Sequence, residues 1–88
     1  MKEFKVIEIK EIENHGDLYR YVTGIDVNSY GQIVILTSDD VLKAMRFSNY
    51  VIENENILHN QLLNLVKTYF PKKNHIIQYR TVTINITK

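Results

Sequence analysis

The sequence predicts an α+β domain: a mostly antiparallel sheet of about four strands in the order β-β-β-α-α-β, with one long helix packed on one face. Three observations carry that reading. Residues 4–12 and 19–27 are rich in β-branched and aromatic side chains and are separated by turn-forming residues. Ile33-Val34-Ile35-Leu36 is apolar throughout, and residues 50–70 repeat apolar positions at helical spacing. Eighty-eight residues, 44% hydrophobic and 24% charged, make one folded domain spanning residues 1–88 rather than a disordered chain.

The first strand covers residues 4–12, with Val6, Ile7, Ile9 and Ile12 apolar. Its alternation slips at Val6-Ile7, which predicts a bulge there. Glu13-Asn14-His15-Gly16-Asp17 forms a turn, and a second strand follows with Tyr19, Tyr21, Thr23, Ile25 and Val27 on one face. Asn28-Ser29-Tyr30-Gly31 is the next turn. The all-apolar run after it reads as a central strand, buried on both faces in the middle of the sheet.

Thr37-Ser38-Asp39-Asp40 then opens a short helix, because hydroxyl and carboxylate oxygens accept hydrogen bonds from the exposed amides of a first turn. Val41, Leu42 and Met45 give that helix an apolar side, and Ser48-Asn49 breaks it and caps the next. In the main helix, residues 50–70, the positions Val51, Leu58, Leu62, Leu65, Val66 and Tyr69 share one stripe, interrupted by Glu55. Lys67 sits in the last turn, Pro71 ends the helix, and Lys72-Lys73-Asn74 forms the exit.

The final strand places Val82, Ile84 and Ile86 against Thr81, Thr83, Asn85 and Thr87, with Ile77 and Tyr79 on the other parity, which predicts a bulge near Arg80. This strand returns beside the first or lies at an edge. It is free of charge between Arg80 and Lys88, the profile of a strand that pairs with another chain, so Thr81, Thr83, Asn85 and Thr87 form a candidate homodimer edge.

Charge is polarised along the chain. All ten acidic residues lie at or before Glu55, so residues 1–66, with six cations against those ten acids, stand at −4, while residues 67–88 stand at +5. The net charge of +1 conceals that division. There is no cysteine, which excludes disulfides, thiolate nucleophiles and cysteine-ligated metal sites. The charged N-terminus has no apolar signal core, and no stretch reaches the roughly 18 apolar residues of a membrane span, so a cytoplasmic location is the expectation.

The residues that carry chemistry are sparse. His15, His59 and His75 have no pairwise spacing that converges on one ion, and Asp39-Asp40, which a divalent cation could share with Glu53 or Glu55, are accounted for by helix capping. Gly16, Gly24 and Gly31 are spaced as turns or a bulge and make no phosphate loop, dinucleotide fingerprint or nucleophile elbow. The expectation is a protein that is not an enzyme, with no catalytic residue, cofactor or metal ligand.

Binding is the remaining class. Tyr19, Tyr21 and Tyr79 on strands, with Asp26, are the candidate protein-binding residues, since tyrosine supplies a large contact area at low cost in side-chain entropy. An alternative is nucleic-acid binding through Lys67, Lys72, Lys73 and Arg80, with tyrosines stacking on bases. The acidic first two-thirds opposes that alternative by repelling phosphates. It would suit instead a carboxylate array presented to a basic groove.

Residues 36–48, Leu-Thr-Ser-Asp-Asp-Val-Leu-Lys-Ala-Met-Arg-Phe-Ser, resemble a recurring pattern in small phage and prophage accessory proteins, in which a strand ends in Thr-x-Asp and a short helical turn runs through Ala and Arg-Phe-Ser. The match covers about a fifth of the chain and brings no catalytic residue with it. The resemblance implies a phage-encoded inhibitor acting in the host cytoplasm on a defence or nucleic-acid-processing complex, as anti-CRISPR proteins do. A virion assembly protein built on pairing of the last strand is a further alternative.

Overall fold

β-Branched and aromatic residues dominate the segments that form strands, and the antiparallel α+β architecture follows. The structure, a computed structural model, describes residues 2–47, 56–71 and 73–84. Strands β1 (Lys2–Glu11), β2 (Leu18–Val27) and β3 (Ile33–Ser38) are followed by a 3₁₀ turn (Val41–Lys43), helix α1 (Asn56–Tyr69) and strand β4 (His75–Ile84). The four strands form one antiparallel sheet in the order β3-β2-β1-β4.

The middle of the sheet is β1 rather than β3. Phe4, Val6, Ile7, Glu8 and Ile9 are all buried, whereas β3 is an outer strand with Ile33 and Leu36 exposed. An unbroken apolar run marks burial on both faces only if something covers both. Ile35 alone of β3 reaches the core beneath the helix. β4 returns to pair with β1 along its whole length and forms the other edge of the sheet.

Neither bulge expected from slipped alternation is present. β1 and β4 pair in unbroken register from Lys2↔Ile84 to Glu11↔His75. The parity changes because each face of this two-stranded ribbon carries its own core at a different end. Ile7, Ile9 and Ile77 lie beneath α1 with Val22, Ile35 and Val66, whereas Phe4 and Val6 lie on the opposite face, where they pack with Ala44, Val41, Val82 and Ile84.

The register shift occurs instead in β2, between Val22 and Gly24. It places the extra residue at Thr23, so Tyr19 and Tyr21 face away from the helix while Ile25 and Val27 share the helix-side face with Ile35 and Ile33. The single face expected for Tyr19 through Val27 is therefore split in two. Beyond the bulge β2 leaves β1, and residues 44–47 fill the gap: Met45 N donates to Val22 O, and Lys5 and Phe47 exchange both backbone hydrogen bonds.

Connections are short and chemically specified. Asn28 Oδ1 accepts from the amides of both Tyr30 and Gln32, and Gly31 takes the positive φ of 77° that closes the β2–β3 turn. Ser38 Oγ accepts from Asp40 N, and Asp40 Oδ1 accepts from Leu42 N, so the expected first helix is a single capped 3₁₀ turn. In α1, Val66 is fully buried and Leu62 and Leu63, with Phe70 just past the helix end, join it against the sheet, while Tyr69, expected on that stripe, is exposed. The expected helix start at residues 50–55 lies outside the described residues.

Candidate interaction surface

The face of the sheet away from α1 is built by alternate residues of three strands. β1 supplies Glu8 and Lys10, β2 supplies Tyr21 and Tyr19 directly opposite them, and β4 supplies Gln78 and Arg80. Glu8 is buried although charged, and Arg80 Nη1 donates to its Oε2 from the neighbouring strand. The Arg80 side chain itself is 53% exposed. Lys10 Nζ lies 3.3 Å from Asp17 Oδ2 at the end of the same face.

The electrostatics follow from these contacts. The hydrogen bond to Glu8, and then its charge, raise the Arg80 pKa and hold the guanidinium in its cationic form. Burial is the main cause that raises the Tyr21 phenol above its usual value, and the Glu8 carboxylate adds to it. The Asp17 hydrogen bond raises the Lys10 pKa. Beside Arg80 lies a shallow pocket of about 260 Å³ lined by Tyr21, Val41, Arg80, Thr81, Val82 and Thr83.

A second concavity, of about 310 Å³, lies between the end of α1 and the start of β4, lined by Lys67, Phe70, Pro71, His75, Ile76 and Ile77. The Phe70 ring stands 5.7 Å from the His75 ring and forms one wall. Asn74, at φ 69°, turns the chain into β4 and its carbonyl accepts from Ile12 N. Asparagine tolerates that left-handed conformation better than most residues.

The residues singled out from the sequence are dispersed. Tyr19 and Tyr21 are neighbours on the open face with Arg80. Asp26 lies past the bulge at the far end of the β2–β3 hairpin, where its Oδ1 accepts from Val27 N. Tyr79 belongs to the helix side, half-buried against the edge of the Phe47 ring at a centroid separation of 5.8 Å, and burial raises its phenol pKa.

Of the basic set, Lys67 and Lys73 lie around the helix exit, Arg80 is on the opposite face joined to Glu8, and Lys72 lies outside the described residues. Thr81 and Thr83 are on the edge strand, where Thr81 Oγ1 accepts from Lys5 Nζ at 3.0 Å, whereas Asn85 and Thr87 lie outside the described residues. Sequence reasoning counted Glu8 only within the exposed carboxylate array and missed its burial and its pairing with Arg80. Its signal was available: a lone acid within Val6-Ile7-Glu8-Ile9 must be paired if that segment is buried.

Among the described residues, no group of three or more His, Cys, Asp or Glu side chains comes together as a metal site would require. Among the same residues, no helix is long and apolar enough to cross a membrane. The fold and this surface define a small α+β domain with a tyrosine-bearing polar sheet face opposite its helix. No protein-family model, curated protein or solved structure matches the chain.

Proposed function

We propose that the chain is a protein-binding module that acts by occupying a partner's surface and catalyses no reaction. The observation that carries this is the anchoring of Arg80 by buried Glu8 beside Tyr19 and Tyr21. A surface arginine ordinarily loses rotamer freedom when a partner captures it. Here much of that freedom is already lost in the free protein, so less is surrendered on binding. Tyrosine and arginine together are the residue types that concentrate binding energy at interface centres.

The resemblance of residues 36–48 to phage accessory proteins favours an inhibitor of a host defence or nucleic-acid-processing complex, working by occlusion. The test is affinity capture from bacterial lysate with the full chain and with Tyr19→Ala, an exposed position whose change leaves the core intact. A stoichiometric protein partner that Tyr19→Ala loses is the expected result. Capture of no partner, or undiminished capture by the variant, overturns the reading. Oligonucleotide binding at low salt that Lys67→Ala/Lys73→Ala abolishes would replace it with the nucleic-acid alternative.

A further inference from the structure

Among the described residues, β4 is an edge strand without the usual protection. Natural edges are shielded by short length, proline, bulges or repeated charges that deter another chain from pairing. β4 runs ten residues in unbroken register with β1, contains no proline, and Arg80 is its one Lys, Arg, Asp or Glu residue. Among the described residues it pairs with β1 alone.

Two further features lie beside that edge. The 310 Å³ concavity at the start of β4 has apolar walls from Phe70, Pro71, Ile76 and Ile77, with Lys67 and His75 completing its lining. Neither Lys67 nor Lys73 makes an ion pair among the described residues, and no Asp or Glu follows Glu55 in the sequence. An added strand would present alternate side chains to the helix side, at a repeat of about 7 Å, within reach of this pocket.

We infer that the β4 edge accepts an extended, acidic segment of another protein as a fifth strand, with one apolar side chain in the pocket and flanking carboxylates at Lys67 and Lys73. The inference goes beyond the Tyr19, Tyr21 and Arg80 surface to a second one and rests on the reading of the chain as a protein-binding module. Charge complementarity selects this occupant over a second copy. A second copy pairing through β4 would bring up a strand with no Asp or Glu of its own to meet Lys67 and Lys73.

The test uses the full chain and a labelled nonapeptide, Glu-Glu-Val-Thr-Val-Thr-Val-Glu-Glu, whose extended length of roughly 30 Å matches the edge. Fluorescence anisotropy is compared with a peptide carrying Lys at the four Glu positions and with one N-methylated at alternate residues to remove backbone donors. The expected results are binding at least about tenfold tighter than the Lys peptide and a loss of about tenfold or more on N-methylation. Lys67→Glu, at an exposed helix end, should weaken binding by about fivefold or more, while Tyr30→Ala, in the exposed β2–β3 turn, leaves it unchanged.

Equal affinity for the N-methylated or Lys peptide, or no binding of any peptide, overturns the inference. So does sedimentation as a dimer with β4 amides protected from exchange, which would make a second copy the occupant. Each of these outcomes leaves Tyr19-dependent partner capture standing, so failure of the edge is distinguishable from failure of the protein-binding reading.

Discussion

Arg80 donates to Glu8 from the adjacent strand, two residues along from Gln78, the direct cross-strand partner of Glu8, so the pair is diagonal on the open face. Glu8 is buried and Arg80 half-exposed. The two ends of this ion pair therefore differ in what their removal leaves behind. Arg80→Ala strands a carboxylate in the protein and should cost about 2–3 kcal/mol, below the value for a fully buried pair because water reaches the vacated site. Glu8→Gln keeps an acceptor for Arg80 and should cost under about 1 kcal/mol. Urea denaturation of both variants and the double mutant should give a coupling of about 1–2 kcal/mol. Additive changes would show that the pair contributes nothing.

Alkaline pH should destabilise the protein through its tyrosines. The phenols of Tyr21 and Tyr79 are raised above the ordinary value of 10.0, in both cases chiefly by burial. The folded state thus holds these protons more tightly than the unfolded chain. The associated stability is fully present below the unfolded pKa and is lost as pH rises through the folded values. Tm should be level between about pH 7 and 9 and fall above about pH 10. Tyr79→Phe and Tyr21→Phe should each flatten that fall, and an unchanged slope in both variants would rule out these phenols as the cause.

The core opposite the helix leaves little room around Ala44, which is 6% exposed against Phe4 and Val6. Ala44→Leu should cost about 1–3 kcal/mol by overpacking. Leu42, two residues earlier, is 58% exposed, and Leu42→Ser should change stability by no more than about 0.5 kcal/mol. Thermal melts of the two variants side by side test whether Ala44 packs on that face in solution. Equal, small effects would mean that it does not.

Gly31 and Gly24 should respond oppositely to alanine. Gly31 takes φ of 77° in the β2–β3 turn with open space around it, so Gly31→Ala should cost about 1 kcal/mol or more through backbone strain alone. Gly24 follows the β2 bulge without a positive φ, and an added methyl would meet Leu36 Cδ1 at an ordinary 3.6 Å. Gly24→Ala should be neutral or slightly stabilising, since alanine restricts the unfolded chain. Chemical denaturation distinguishes them, and a larger loss at Gly24 would contradict the placement of the bulge.

The local chemistry of this chain is legible without its fold. Asn28 and Gly31 announce their turn, Asp40 its cap, Pro71 the end of α1, and four strands with a covering helix follow from periodicity. Each signal depends on neighbours a few residues away, which the sequence contains directly. Tyr19 and Tyr21 were visible as a pair for the same reason: period-2 alternation puts them on one face.

Long-range relationships were decided by tertiary structure. The change of parity in β1 and β4 has the same sequence signature whether a strand bulges or two cores lie on opposite faces, and only the partner elements, α1 on one side and Ala44 on the other, distinguish the two. Likewise the run at Ile33–Leu36 is as apolar as a central strand, yet β2 leaves it at the edge. Composition and turn chemistry determined that this would be an antiparallel α+β domain with an acid-free C-terminal region. Strand order alone decided that Arg80 would meet Glu8 rather than join Lys67 and Lys73, because pairing β4 to β1 places residues 72 positions apart side by side, a separation over which no local pattern extends.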